Sequence, residues 1–198
     1  MEAAMNTVIT SREAILEGCR KLFKSEGPSR LSIRKVAGLL DISTGSIYHY
    51  FPSKSTLLQA AVESVWQEIF TGSQPCGFST VEACVSWIFD CLKRGEKAYP
   101  GFLGLHSSLL ENESQNTGSQ ERMSQSWQKL KALLVQSLEN ELAGRDSRQP
   151  ESAPDPIDCS SVETFADAVF SLILASAYLH TMDEKDVLAY IHCQLQDH

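Results

Sequence analysis

Apolar positions recur at helical spacing along nearly the whole chain, and no stretch alternates convincingly as a half-buried strand would. Ile15, Cys19, Leu22 and Phe23 form one stripe, which predicts a first helix. Thr10 or Ser11 can cap its start, and Gly27-Pro28 stops it. Ser32 is placed to cap a short second helix with Ile33, Val36, Ala37 and Leu40 on one side. Asp41 and Ile42 make a tight turn, and Ser43 caps a short third helix through about Tyr50. Pro52-Ser53 opens a fourth helix that runs toward Phe70.

Residues 71–80, TGSQPCGFST, break the pattern with Gly, Pro and Ser. Val81, Cys84, Val85, Ile88 and Leu92 then line a helix that ends at Pro100-Gly101. A short helix is predicted from Phe102 to Leu110, followed by a polar loop over 111–120. Met123, Trp127, Leu130, Leu134 and Leu138 line a long helix. Residues 144–161 read as a charged, Pro-rich loop. A helix from about Val162 to Leu179 is apolar on most of its circumference, and a last one from Asp183 carries Val187, Leu188, Ile191 and Leu195. The expected architecture is all-α, with about nine helices divided between a small N-terminal three-helix head and a larger helical body.

Charge sharpens that division. The net charge is −8, but residues 1–58 hold eight Lys/Arg against five acids. A modestly basic head on an acidic body suits a protein whose head alone meets an anion, and argues against one that coats nucleic acid non-specifically. No apolar run has the ~18 residues a membrane span needs, so no membrane partner is expected. The six cysteines, Cys19, Cys76, Cys84, Cys91, Cys159 and Cys193, show neither a CxxC pair nor metal-type clustering with histidine. They read as reduced thiols of a cytoplasmic protein, with no metal site and no cofactor. Gly-rich phosphate loops, HExxH and GxSxG are all missing from the sequence, which makes an enzyme with a helical body an unfavoured reading.

Two short helices joined by a tight turn meet the requirements of a helix-turn-helix. Ala37 is small enough for the third helix to cross close by, while Ile42, Ile47 and Phe51 point back into the head. Thr44, Gly45, Ser46, Tyr48 and His49 are left on the outer side. Hydroxyls there suit base edges or phosphates, and Gly45 lets the backbone approach a groove wall. Lys54 lies at the start of the fourth helix, where free N–H groups already favour a phosphate. Tyr50, with Phe51, is assigned to the core.

The run LSIRKVAGLLDISTGSIYHYFPSKSTLL, preceded by AILEGCRKLFKSEG, closely resembles the DNA-binding domain of the TetR (tetracycline-repressor-type) transcriptional regulators. The resemblance covers about sixty residues and joins three features: the Phe-x-x-x-Gly end of the first helix, Ser-x-Gly-x-Ile-Tyr-x-Tyr-Phe, and Ser-Lys-x-x-Leu. It implies that Thr44, Gly45, Ser46, Tyr48 and His49 line the major groove, with Ser43 at their edge, and that Ser32, Arg34 and Lys54 hold phosphates. Asp41 departs from the pattern, since the family usually has Gly in that turn. The implied division is 1–52 for DNA binding, 53–71 for a connecting helix, and 72–198 for ligand sensing and dimerisation.

The resemblance further implies a homodimer on a palindromic operator and a small-molecule effector that releases a repressor. Trp87, Cys91, Phe102, His106, Trp127 and Phe170 are the candidate pocket liners, being large or adaptable, and they suit a hydrophobic ligand. Phe165, Val169, Leu172, Ile173 and Leu179, with Leu188, Ile191 and Leu195, are candidates for the dimer interface or the core. The fourth helix is the natural lever between body and head. An alternative is a thiol-responsive regulator that uses Cys76, Cys84 or Cys91.

Overall fold

The computed structural model describes the backbone of residues 10–71, 77–103, 117–146, 159–179 and 183–196, and side chains for most of these. Everything regular among them is helical: α1 (Arg12–Glu26), a 3₁₀ turn (Pro28–Arg30), α2 (Ile33–Leu40), α3 (Thr44–Tyr50), α4 (Lys54–Thr71), α5 (Val81–Ala98), α6 (Thr117–Asp146), α7 (Cys159–Leu179) and α8 (Glu184–Gln196). Two compact units result. One comprises Met1–Glu68 with Gly95–Ser119, the other Ile69–Arg94 with Gln120–His198. The first unit thus takes in the end of α5, a segment far along the chain from the head.

Local chemistry starts and stops the head helices. Ser11 accepts a hydrogen bond from the Ala14 N–H at 3.1 Å and caps α1, and Ser32 does the same for the Lys35 N–H at 3.2 Å on α2. Gly27 ends α1 at φ +82° and ψ 158°, a region open essentially to glycine alone. Asp41 ends α2 in the left-handed conformation, φ 53° and ψ 44°. Its own N–H donates to the Gly38 carbonyl, and the next N–H, of Ile42, reaches Ala37 at 3.0 Å. That bond pair is the Schellman arrangement, here built on Asp in place of Gly. Ser53 and Thr56 cap α4 reciprocally: the Thr56 N–H donates to Ser53 Oγ at 3.1 Å, and the Ser53 N–H to Thr56 Oγ1 at 3.0 Å. Lys54 is therefore the first residue of the helix.

The head core is the set that the periodicity singled out. Ile15, Cys19, Phe23, Val36 and Ile47 are fully buried, and Leu22, Ala37 and Phe51 nearly so. Gly18 lets α1 and α2 come close, since a Cβ there would lie 3.1 Å from the Leu40 side chain. In the second unit, Val81, Cys84, Val85 and Ile88 of α5, Leu134 of α6, Val169 and Ile173 of α7, and Val187 and Ile191 of α8 are 0–1% exposed.

Three expectations need correction. Thr117–Gln120 belongs to α6, although it reads as loop, and so do Gly144–Asp146 at the other end of that helix. Cys159–Ser161 likewise starts α7. An established helix gains a hydrogen bond for each residue added, so weak helix formers are recruited onto an end that packing has already nucleated. Tyr50 is not a core residue, being 37% exposed. Ile47 and Phe51, one turn apart, already fill the inward side, so the ring between them in sequence turns outward.

Candidate nucleic-acid interface

α3 is seven residues long, and one of them, Ile47, is buried, at 0% exposure. Burying an isoleucine side chain is worth about 1.5–3 kcal/mol, enough to seat so short a helix in one orientation. Phe51 closes its end and donates its N–H to the Ile47 carbonyl at 2.9 Å. The remaining side is the outer face foreseen from the sequence. Ser43, Thr44, Gly45, Tyr48 and His49 are exposed and Ser46 is half-buried. Leu39, Tyr48 and Tyr50 are the large apolar or aromatic side chains most exposed among the described residues, and all three lie on α2 and α3. An exposed cluster of this kind usually marks a contact surface.

The hydroxyls divide by how far they are already committed. Ser43 Oγ accepts the Ser46 N–H at 3.0 Å and lies 2.9 Å from Ser46 Oγ, so the two hydroxyls share one hydrogen bond. Ser43 thus both builds the helix and faces outward. Ser32 is similarly occupied as an acceptor by its cap but retains a proton to donate. Neither Thr44 nor the exposed Tyr48 phenol makes a side-chain hydrogen bond among the described residues. The His49 and Tyr50 rings meet edge to face at 5.1 Å.

Basic groups flank the helix unequally. Arg34 and Lys54 are exposed and take part in no ion pair among the described residues. Lys35 is held by Glu26, so it is partly neutralised. Lys54 also stands on the first turn of α4, where unpaired backbone N–H groups favour an anion. Asp41 is the one acidic side chain in the α2–α3 turn.

The geometry is that of a helix-turn-helix with a polar outer face, flanked by Arg34 and Lys54, which form no ion pair among the described residues. Residues 15–61 match the model of the bacterial regulatory proteins of the tetR family. Over those residues the chain is similar to the DNA-binding domain of the tetR regulators. It is 30% identical over 69 residues to the nucleoid occlusion factor SlmA of Vibrio cholerae, a stretch of 34% of this chain and 35% of that protein. The match therefore spans about a third of the relative's length. A TetR transcriptional regulator from Rhodococcus sp. RHA1 shares the fold, with a TM-score of 0.50, 15% identity and 91% of both chains covered. RolR without ligand is similar at a TM-score of 0.50 and 16% identity, over 90% of this chain and 87% of its own.

The residues foreseen for a pocket fall in both units. Trp87 and Phe170 are half-buried and Cys91 is 1% exposed in the second unit, whereas Phe102 is fully buried in the first. His106 lies outside the described residues, as does the side chain of Trp127. Trp87 meets Phe78 at 5.6 Å and Phe70 at 6.0 Å. Among the interface-or-core candidates, Val169, Ile173 and Ile191 are buried within the second unit. Phe165, Leu172, Leu188 and Leu195 are half-exposed, and Phe165 stacks on Tyr190 at 6.4 Å. The Leu179 side chain lies outside the described residues.

Cys84 and Cys91 are both buried, at 0% and 1% exposure. Burial pushes the Cys84 thiol up to about 12 against the weaker effect of a hydrogen bond with Ser137. Burial also raises Cys91, although Arg94 beside it favours the thiolate. Neither forms the thiolate that oxidation chemistry needs near neutral pH. Cys76 lies outside the described residues. No group of three or more His, Cys, Asp or Glu that could hold a metal occurs among the described residues. Among them, too, no helix is long and apolar enough to cross a membrane.

Sequence periodicity missed a second polar cluster in the first unit. Glu68 of α4 accepts from Lys24 Nζ at 2.9 Å and pairs with Arg20 Nε at 3.1 Å, both on α1. The Lys24 ammonium also sits 4.9 Å from the centre of the Tyr99 ring. Burial works to raise the Glu68 carboxyl, but the bond from Lys24 and the two cations outweigh it and hold it low. The bond with Glu68 raises Lys24. Burial pushes the Tyr99 phenol up to about 12. A Lys and a Glu 44 positions apart carry no local signal in the sequence.

Proposed function

We propose that this chain is a ligand-responsive repressor of the TetR type that binds a palindromic operator as a homodimer. α3 of each subunit enters the major groove, with Thr44, Gly45, Ser46, Tyr48 and His49 facing the bases and Ser43 at the edge. Ser32, Arg34 and Lys54 hold the flanking phosphates. The observation that carries this reading is the outward polar face of α3, fixed from behind by the buried Ile47. Functionally, residues 1–52 read DNA, 53–71 connect, and 72–198 sense and dimerise. Half-exposed Phe165, Leu172, Leu188 and Leu195 form the apolar contact with the partner subunit. A twofold pair places its reading helices about 34 Å apart or a multiple of that, which requires an inverted repeat.

In the same reading, a small hydrophobic molecule bound in the helical body favours a head spacing that no longer fits successive major grooves, and repression is relieved. What favours a hydrophobic ligand is the chemistry of the second unit, where the buried side chains among the described residues are apolar apart from a few hydroxyls and thiols. The test is selection from a randomised duplex pool by the purified chain, followed by footprinting of the enriched sequence. An enriched inverted repeat, protected at two half-sites, is the expected result. A pool that stays random after several rounds would refute operator binding.

A further inference from the structure

Helix α1 is gripped at both ends, and the two grips touch different parts of the first unit. At its start, the Tyr50 phenol at the end of α3 donates to the Thr10 carbonyl at 2.7 Å. Beside it, the Arg12 guanidinium lies over the Phe51 ring, 5.2 Å from its centre. At its far end, Arg20 and Lys24, one turn apart, share the single carboxylate of Glu68. Lys24 is also held over the Tyr99 ring, and Tyr99 packs on Phe102 at 6.1 Å, which in turn meets Trp66 of α4 at 5.1 Å. Between the grips, Ile15, Leu16, Cys19, Leu22 and Phe23 are all buried, so the helix has no free middle in which to bend.

We infer that α1 is a strut linking the turn at the end of α5 to the reading helix α3, and that Glu68 and Tyr99 are positioning residues that seat its far end. A helix of 15 residues is about 22 Å long, so a small displacement at Lys24 reappears at Thr10 and Arg12, which touch α3. The seat is suited to reversible adjustment. Its ion pairs are half-exposed, with side chains 46% and 43% exposed for Lys24 and Glu68, and such pairs are weak. The buried Tyr99 hydroxyl makes no hydrogen bond of ordinary geometry, although Lys24 and Glu68 both act on it from close by. α4 is then one of two routes into the head, and α1 is the one that touches α3 from the side of its last turn. The effect on DNA affinity rests on the operator reading above, but the coupling itself is a property of the free protein.

The experiment is hydrogen–deuterium exchange of the full chain without DNA, comparing Glu68→Gln, Tyr99→Leu and Tyr99→Phe with the parent. The peptide covering 44–51 should exchange at least about three-fold faster in Glu68→Gln and Tyr99→Leu, with 81–92 unchanged. Tyr99→Phe keeps the ring beneath Lys24 and should match the parent. Faster exchange confined to 20–26 and 60–68, with 44–51 unaltered, would overturn the strut. A uniform rise over all peptides would also overturn it, since that is loss of stability and not coupling. Glu68 is half-exposed, so its variant remains folded and informative even where Tyr99→Leu does not.

Discussion

The hydroxyls of Ser43 and Ser46 lie 2.9 Å apart, and Ser43 Oγ also accepts the Ser46 N–H at 3.0 Å. One side chain thus starts α3 and stands at the edge of its exposed face. Ser43→Ala should cost about 1 kcal/mol of stability and lower Tm by about 2–4 °C. Ser43→Asp restores the cap but adds a negative charge toward the phosphates. Thermal melts with DNA titrations should show Ser43→Asp as stable as the parent yet binding at least about ten-fold more weakly.

His49→Ala and Tyr48→Phe remove groups from the exposed side of α3 without touching Ile47. Each should weaken binding to the selected duplex by about 1 kcal/mol or more, with helicity by circular dichroism unchanged. Unaltered affinity in both variants would mean that another side of α3 meets the groove.

Arg34, Lys54 and Lys35 differ in how free their charge is. Arg34→Ala and Lys54→Ala should each weaken binding about equally for all sequences and reduce the slope of log affinity against log salt by about 1. Lys35→Ala should do less, because Glu26 already neutralises that ammonium. Titrations at several salt concentrations check the order.

Asp41 holds φ 53° where a side chain is strained. Asp41→Gly should relieve that strain, offset in part by the freer unfolded chain, for a net gain of up to about 1 kcal/mol. Asp41→Ala, which keeps a Cβ and loses the local polar side chain, should lose about 1 kcal/mol. Chemical denaturation distinguishes the two signs.

The buried thiols make a different kind of prediction. Cys19 and Cys84 are each pushed up to about 12 by burial, so at neutral pH they stay protonated and shielded. Iodoacetamide on the native chain should label the exposed Cys193 long before Cys19, Cys84 or Cys91. Mild peroxide that leaves those three unmodified should leave DNA affinity unchanged if the response is to a ligand and not to oxidation.

Much of the head was legible from residue order. Caps at Ser11, Ser32 and Ser43, stops at Gly27 and Asp41, and the inward pair Ile47 and Phe51 are all local features. Each acts through bonds to neighbours within four or five positions, so the sequence displays cause and effect side by side. The outer face of α3 followed by elimination, as what a seven-residue helix has left once its inward side is filled. The ends of α6 and α7 were misread because propagation from a packed helix overrides the weak preference of a few terminal residues.

Tyr50 shows where local reasoning stops. Its neighbours suggest a core aromatic, yet its hydroxyl finds the carbonyl of Thr10, forty positions away. The Glu68 carboxylate, shared by Arg20 and Lys24 beneath Tyr99, is likewise invisible along the chain. Which half of an apolar helix faces its own core is a matter of packing too, and it placed Val169, Ile173 and Ile191 inside. By itself, then, the order of residues determined the helices, their caps and the face of α3. The tertiary structure alone decided how the head is braced, because the partners in those contacts are brought together by burial of the apolar stripes and not by their spacing.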